Sequence, residues 1–424
     1  MGYPQRLENL RLSLRSHTGP NIRLDKATSN LFRNRDTSDT GLDVRSFQHV
    51  LSVDPASRSI ETEGMVTYED LADAALAHGM MPAVVPQLKS ITIGGAVGGI
   101  GIESTSFRYG LPHETVHEMD VLLGNGDVIT CRPDNEYRDL FLGLANSYGT
   151  LGYILRLEIE GIPVKPYVRL TYIHCNSAQD FFKKIDETCR GSYDFVDGVV
   201  FAPGDHYLVL GEFCDEAPYT SDYTYLDIFY RSIRSRSEDY LTVRDYLWRW
   251  DTDWFWCSKN LFAQNPLVRR LLGRKRLNSI TYQKVMRWNT RAGLTRQLNR
   301  LTGIHRESVI QDVDIPIENA PEFLQFFDQE IGIRPVWICP ARHNGTRGAY
   351  PLFPMRKDTL YINFGFWDGI RSRQAYPIGH FNRLIEEKVA ELGGLLILLR
   401  RGVYVTNLFN YFEIGQSLCF RRRS

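Results

Sequence analysis

Along the first 160 residues, apolar and polar positions recur with a period of two in some runs and with a helical period in others. Tyr153, Leu155, Leu157 and Ile159 alternate with charged Arg156, Glu158 and Glu160, which predicts a half-buried strand. VLSVDPASRSIETEG reads as a hairpin turning at Asp54-Pro55. MDVLLGNGDVIT reads as a second, whose Asn125-Gly126 pair suits a type I′ turn. TYEDLADAALAHG has helical spacing, with Thr67 as N-cap, Asp70 three residues on and Gly79 closing it. NEYRDLFLGLANSYG reads as a further helix. Strands and helices mixed in this way from about Ile22 to Pro163 predict an α+β domain. After KPYVRLTYIHC the texture changes. Aromatic residues become dense, basic clusters appear (RSIRSRS, RRLLGRKR), and strands SVIQDVDIPI and TLYINFGFW sit among helices such as APEFLQFFDQEIG. A boundary is expected between Ile162 and Pro166, giving units 1–163 and 164–394 and a C-terminal tail 395–424.

Composition narrows the partners. A chain of 424 residues with 43% hydrophobic content suits two or three domains, since single cores seldom grow past roughly 250 to 300 residues. Lys plus Arg and Asp plus Glu both total 50, so the whole chain makes no electrostatic case for nucleic acid or for an anionic membrane. Seven cysteines without a C-x-x-C pair, and an N-terminus without an apolar signal core, lead to the expectation of a reduced, cytoplasmic protein. Neither a disulfide frame nor a cysteine metal site is expected. The apolar run GGLLILL is far short of the roughly 20 residues of a membrane helix.

The stretch ITIGGAVGGIGIESTSFRYG, residues 91–110, holds six glycines. A Rossmann loop needs G-x-G-x-x-G, but Gly99-Ile100-Gly101 is followed by Ile-Glu-Ser, and no Gly-Lys-Ser/Thr marks a P-loop. Two readings remain open: glycines that let backbone segments pack closely, and successive backbone amides that cradle a pyrophosphate. In the second, Thr92, Ser104, Thr105 and Ser106 add hydroxyls.

TIGGAVGGIGIES, SFRYG, the hairpin LLGNGDVITC and SYGTLGYILRLEIEGIPVKPYVRL together resemble the PCMH-type FAD-binding domain of the vanillyl-alcohol oxidase superfamily, and within it the Δ24-sterol reductase group. FAQNP, VIQDVDIP, PVWICP and LYINFGFW continue the likeness, so it covers most of Ile22 to Gly394. The resemblance implies a FAD-binding domain followed by a mixed α/β substrate (cap) domain. It places Thr92, Ile93, Gly94, Gly95, Ala96, Val97, Gly98, Gly99, Ile100, Gly101, Ile102, Glu103 and Ser104 against the FAD diphosphate, with Thr150, Leu151 and Gly152 at the flavin end. The turn IRLDKATSNLFR corresponds to a second phosphate contact through Thr28, Ser29 and Asn30. Many superfamily members attach flavin to a histidine in this turn, but Lys26 to Asn30 contain none, so the FAD is expected to be non-covalent.

His113-Glu114-Thr115-Val116-His117 is a literal H-E-x-x-H, which binds zinc when both histidines lie on one helical face. Here β-branched Thr115 and Val116 run into the strand MDVLL. The expected roles are therefore a strand entry for His117 and a surface or flavin-edge contact for His113, without metal.

YLWRWDTDWFW, residues 246–256, holds four tryptophans, and Trp288, Trp337 and Trp367 follow. Core packing and an aromatic wall for a long apolar substrate are both open. The resemblance implies a hydrophobic lipid with a carbon–carbon double bond, reduced by hydride from flavin and a proton from a side chain, with NADPH as electron donor. Asn265 in FAQNP, Asp312 in VIQD and Asn363 in YINFG match family motifs and are the catalytic candidates. After EEKVAELGG the chain departs from the family with LLILLRRGVYVTNLFNYFEIGQSLCFRRRS, the ending expected of a shifted frame or a decayed gene. The alternatives are accordingly an alcohol-dehydrogenating oxidase of the same superfamily and a flavin-binding remnant. Peripheral membrane contact to collect substrate is a further expectation.

Overall fold

The computed structural model describes residues 2–16, 23–26, 41–293 and 302–397. Short β1 (Arg23–Asp25) and β2 (Gly41–Asp43) pair in parallel. β3 (Val50–Asp54), β4 (Ser59–Glu63), β5 (Met80–Pro82), β6 (Val116–Leu122), β7 (Val128–Cys131) and β8 (Tyr153–Pro163) form an antiparallel sheet of order β3-β4-β8-β6-β7, with β5 on the far end of β8. β8 is its spine. Its alternation is realised, with Leu155, Leu157 and Ile159 buried, while its length lets it pair with β4, β6 and β5. Helix Tyr3–Arg15 lays Leu10 and Leu14 against Leu122 and Leu155 of this sheet.

The helix at Tyr68–Leu76 begins as the sequence predicts, with the Thr67 hydroxyl accepting from the Asp70 N–H, and Gly79 beyond it is left-handed. The β6–β7 turn differs from expectation. Gly126 has φ +88° but Asn125 is not left-handed, and Gly126 N–H donates to Leu123 O while Leu123 N–H donates to Asp127 O. This is a three-residue loop with a left-handed glycine, not the two-residue type I′ turn, which needs positive φ at both centres. The helix read from NEYRDLFLGLANSYG is confined to Arg138–Gly143, because the chain beyond it turns through left-handed Asn146 and Tyr148.

β9 (Tyr167–Cys175), β10 (Phe195–Ala202), β11 (Asp205–Cys214), β12 (Glu238–Thr242), β13 (His305–Pro316), β14 (Val336–Arg342), β15 (Leu360–Ser372) and β16 (Leu395–Ile397) build a second antiparallel sheet. Its order is β12-β9-β11-β10-β14-β15-β13-β16. Helices Ala178–Cys189, Ala320–Phe326 and His380–Glu391 cover one face, packing Phe181, Phe323 and Ile385 on Val196, Ile338 and Phe364. The other face faces the first sheet. Trp337, Cys339, Tyr361 and Ile397 join Ile60, Ile93 and Leu157 in one apolar cluster. The first three residues of the tail thus form an edge strand of the large sheet, and residues 398–424 lie outside the described residues. The two-sheet α+β architecture agrees with the fold class read from the sequence. Among the described residues no helix is long and apolar enough to cross a membrane, and no cluster of His, Cys, Asp and Glu is arranged to hold a metal.

Candidate functional site

Residues Ile93–Gly99 form a short helix where the glycine run predicts a turn. Thr92 caps it, its hydroxyl accepting from Gly95 N–H at 3.3 Å, and Ile93, Ala96 and Val97 bury one face. The leading amides are already committed: Ile93 N–H donates to Val66 O at 3.0 Å and Gly94 N–H to Gly64 O at 2.9 Å. A Cβ on Gly94 would lie 2.8 Å from Gly64 O, one on Gly99 3.2 Å from the Tyr148 ring, and one on Gly101 2.9 Å from Pro86. Close packing therefore explains these three glycines. It does not explain Gly98. Gly95 is exposed, with the Thr92 cap hydroxyl 2.9 Å from where a Cβ would lie, and a Cβ on Gly98, one turn further on, would meet nothing within 4 Å. The bare strip they leave is where a ligand gains from missing side chains.

The hydroxyls expected to help are taken. Ser104 Oγ donates to Glu103 Oε1 at 2.6 Å, Thr105 Oγ1 donates to Ala83 O at 2.8 Å, and Ser106 Oγ accepts from Glu103 N–H at 3.1 Å. Ile100 and Ile102 are core residues, so this part of the predicted contact list acts by backbone or by packing. Polar groups without partners lie elsewhere. Among the described residues, both amide atoms of Gln87, Asn146 Oδ1 and Ser147 Oγ are buried and make no hydrogen bond. Such groups each cost about 1–3 kcal/mol. The Asn146–Gly152 loop is itself strained, with φ +62° at Asn146 and +52° at Tyr148, and Tyr148 N–H donates to Gly98 O at 2.8 Å. In that loop Thr150 Oγ1 donates to Ser147 O at 2.7 Å, and a Cβ on Gly152 would lie 2.6 Å from Val121. An open glycine strip linked to a strained loop with orphaned polar atoms fits an extended polar cofactor such as FAD.

Glu103 connects this region to the large sheet. Arg249 donates from Nη2 to Glu103 Oε1 at 3.3 Å and to Asp197 Oδ2 at 2.9 Å, and its guanidinium stacks 3.9 Å above the Tyr246 ring. Trp337 Nε1 donates to the same Asp197 oxygen at 3.1 Å. One buried cation cannot balance two buried carboxylates, and burial, against the pull of Arg249, raises the pKa of both Glu103 and Asp197.

A second acid group sits further along the same sheet face. Asp314 on β13 is opposite Asn363 on β15, itself opposite Cys339 on β14, and Asp312 is opposite Gly365, itself opposite Trp337. Opposed residues share a face. Asn363 Nδ2 donates to Asp314 Oδ1 at 2.9 Å, while Asp312 Oδ1, Asp314 Oδ2 and Asn363 Oδ1 are buried without partners among the described residues. Burial pushes the Asp312 carboxyl up to about 8, with the neighbouring Asp314 adding to it, and burial pushes Asp314 up to about 7. Gly365 makes the room: a Cβ there would lie 2.6 Å from the Trp367 ring and 2.9 Å from Asp312 Oδ1. Trp367 stands 4.3 Å from Phe255 and 6.3 Å from Trp337 between ring centroids. The tryptophans of 246–256 are all buried, so the aromatic run packs a core and also roofs this face.

The literal H-E-x-x-H is something else. Pro112–Thr115 is a single 3-10 turn and β6 begins at Val116, so the two histidines do not share a helical face. His113 is not at the surface. It is buried edge-on against Tyr350 at 4.4 Å, and burial pulls its pKa down to about 4. Glu114 ties the two sheets together, accepting from Leu111 N–H at 2.9 Å, from Asn344 N–H at 3.0 Å and from His343 Nδ1 at 2.6 Å. Burial opposes its charge, but the His343 bond and the other donors outweigh that and lower its pKa; the same bond raises that of His343.

Of the catalytic candidates, Asp312 and Asn363 come together and Asn265 does not. Asn265 is exposed and caps helix Pro266–Leu272, accepting from Leu267 N–H at 2.9 Å, a structural duty that accounts for its place in FAQNP. Thr28, Ser29 and Asn30 lie outside the described residues. Sequence reasoning missed Gln87, Asp197, Arg249 and Asp314, although Asp314 was legible as the second acid of an alternating D-V-D in an apolar strand.

A family model described as FAD binding domain matches residues 19–132. The chain is similar to the Delta(24)-sterol reductase homolog of Caenorhabditis elegans, 27% identical over 373 residues, or 81% of this chain and 68% of the relative. It is 28% identical over 322 residues to the Arabidopsis thaliana Delta(24)-sterol reductase, covering 70% of this chain and 56% of that one. The human Delta(24)-sterol reductase is 28% identical over 305 residues, 69% of this chain and 57% of the relative. Most of these matches span just over half the length of the relative. The likeness read from the motifs is thus borne out: the chain carries a FAD-binding domain and is related to the Delta(24)-sterol reductases.

Proposed function

We propose that this relative of the Delta(24)-sterol reductases is a FAD-dependent oxidoreductase that reduces a carbon–carbon double bond in a hydrophobic lipid, a sterol side chain or a methylene-branched fatty acyl chain. NADPH is the electron donor and the FAD is held non-covalently. The observation that carries the reading is Asp312, a buried carboxyl that keeps its proton near neutral pH beneath tryptophan rings. FAD, when bound and reduced, supplies the hydride for one alkene carbon. Gly95, Gly98, Gln87 and the Asn146–Gly152 loop would hold the cofactor. Asp312 gives its proton to the other carbon, leaves as a carboxylate, and is reprotonated from water. Reducing an isolated alkene needs such an acid, because no carbonyl absorbs the incoming charge. Asn363 fixes the neighbouring Asp314, whose carboxyl adds to burial in holding the proton on Asp312. Phe255, Trp337 and Trp367 exclude water and present ring faces to positive charge. Unit boundaries at about residues 163 and 394 belong to the same reading.

The test is a visible spectrum of the purified protein before and after acid precipitation, followed by anaerobic NADPH. Yellow colour that leaves with the supernatant, and that NADPH bleaches, supports the proposal. Colour retained in the pellet refutes non-covalent binding, and rapid reoxidation by air with an alcohol as reductant points to an oxidase instead.

A further inference from the structure

From Trp254 to Arg306 the chain has twelve Lys and Arg and no Asp or Glu, although the whole molecule balances 50 against 50. The same segment gathers exposed large apolar side chains. Phe262 is 78% exposed, Leu267 66%, Leu271 83% and Trp288 62%, with Ile280 and Val285 also exposed. Leu267 and Leu271 are one turn apart on helix Pro266–Leu272, with exposed Arg270 beside them. On helix Ser279–Ala292, Ile280, Lys284 and Trp288 follow at intervals of four, while Tyr282 turns inward. Some cations are spent on ion pairs, namely Arg269 with Asp253, Arg274 with Asp222 and Lys259 with Asp368. Among the described residues, exposed Arg270, Lys275, Arg276 and Lys284 form none.

We propose that this surface docks the protein on an anionic lipid bilayer, with Phe262, Leu267, Leu271 and Trp288 entering the headgroup–acyl boundary and Arg270, Lys275, Arg276 and Lys284 meeting the lipid phosphates. Apolar residues flanked by cations, with no acid in the segment itself, are complementary to such an interface, and binding there scales with apolar area plus electrostatic attraction. A protein partner would call for a closed apolar patch rather than leucines interspersed with lysine and arginine. The underside fixes the location. Trp254, Leu277 and Tyr282 pack with Leu88, the neighbour of Gln87, so the docking surface roofs the candidate cofactor region. Delivery of a lipid substrate through this roof rests on the function proposed above, whereas the docking itself does not.

Flotation of the full-length protein with vesicles of phosphatidylcholine alone, or mixed with phosphatidylglycerol, tests the docking without turnover. Flotation with the anionic vesicles is expected, weakening as salt rises. The pairs Leu267→Glu/Leu271→Glu and Lys275→Glu/Arg276→Glu each reduce partitioning by at least about tenfold. Circular dichroism should show both pairs folded, since the substituted side chains are exposed. Lipids with brominated acyl chains quench tryptophan emission in the wild type and less in Trp288→Phe. The proposal is overturned if the wild type stays with the dense fraction, if both folded pairs float as well as it does, or if duplex DNA is retained and vesicles are not. Loss of flotation with intact NADPH oxidation would sink the docking alone; the reverse would sink the reductase reading alone.

Discussion

Alanine in place of Gly98 and of Gly94 separates what the glycine helix does for the fold from what it does for a ligand. At Gly98 the added methyl meets no protein atom within 4 Å, so in cofactor-free protein the substitution acts only through helix propensity. Alanine is better than glycine there by about 0.5–1 kcal/mol, an upward shift of about 0.5–1 °C in Tm for a protein of this size. With FAD lying on the strip, the same methyl intrudes on the cofactor, and overpacking of roughly 1–3 kcal/mol weakens binding about 5- to 150-fold. Gly94→Ala is the control, because its methyl would sit 2.8 Å from Gly64 O and must displace backbone. It should lower stability by roughly 1–3 kcal/mol with or without FAD. Thermal melts of cofactor-stripped protein, paired with FAD titrations followed by quenching of flavin fluorescence, measure both quantities. Wild-type FAD affinity in Gly98→Ala would show that the strip faces no cofactor, and a destabilised Gly98→Ala apoprotein would show that the space is not open.

Asp312→Asn should slow product formation by about 10²–10⁴-fold while flavin reduction by NADPH is unchanged, which rapid-mixing absorbance separates. Wild-type turnover should fall as pH rises past about 8, where the acid loses its proton. The folded state holds the protons of Asp312 and Asp314 to about pH 8 and 7, against an ordinary 3.8, so stability falls as pH rises through that window. The slope is roughly 1.4 kcal/mol per pH unit for each carboxyl, and urea titrations of Asp312→Asn should lose one of the two contributions. Glu114→Gln breaks the buried pair with His343 and should cost roughly 3–5 kcal/mol in the same assay. Because the pKa of Glu114 is lowered and that of His343 raised, the wild-type advantage is lost as pH falls below about 4.5 and again as it rises above the histidine range; a flat difference across pH would refute the pairing.

Much of the flavin half was legible because its cues are local. The alternation in β8, the Thr67 cap and the Gly79 stop each depend on a few neighbouring residues. The turn type at Asn125-Gly126 was misread because the strand register, which the pair does not encode alone, decided the loop length. Asp312 and Asn363 were singled out by motifs, but their meeting depends on the β13–β15 register, a pairing of residues about fifty apart. Glu103, Asp197 and Arg249 come from three separate segments, and nothing within any one of them marks it as a partner of the other two. Asn265 misled for the opposite reason: a helix cap and a catalytic amide look alike in sequence, and only its exposure tells them apart.

The single apolar cluster that runs from Ile60 to Ile397 has a consequence for how the protein is made. On the ribosome the first sheet is finished when β8 emerges, yet Ile93 and Leu157 await Trp337, Cys339 and Tyr361, which are synthesised some 170 residues or more later. At about 5–20 residues per second, the nascent flavin half keeps that face uncovered for roughly ten seconds or more. The last strand among the described residues, β16, sets the moment at which this half-built core is closed to chaperones and to misassociation with other nascent chains.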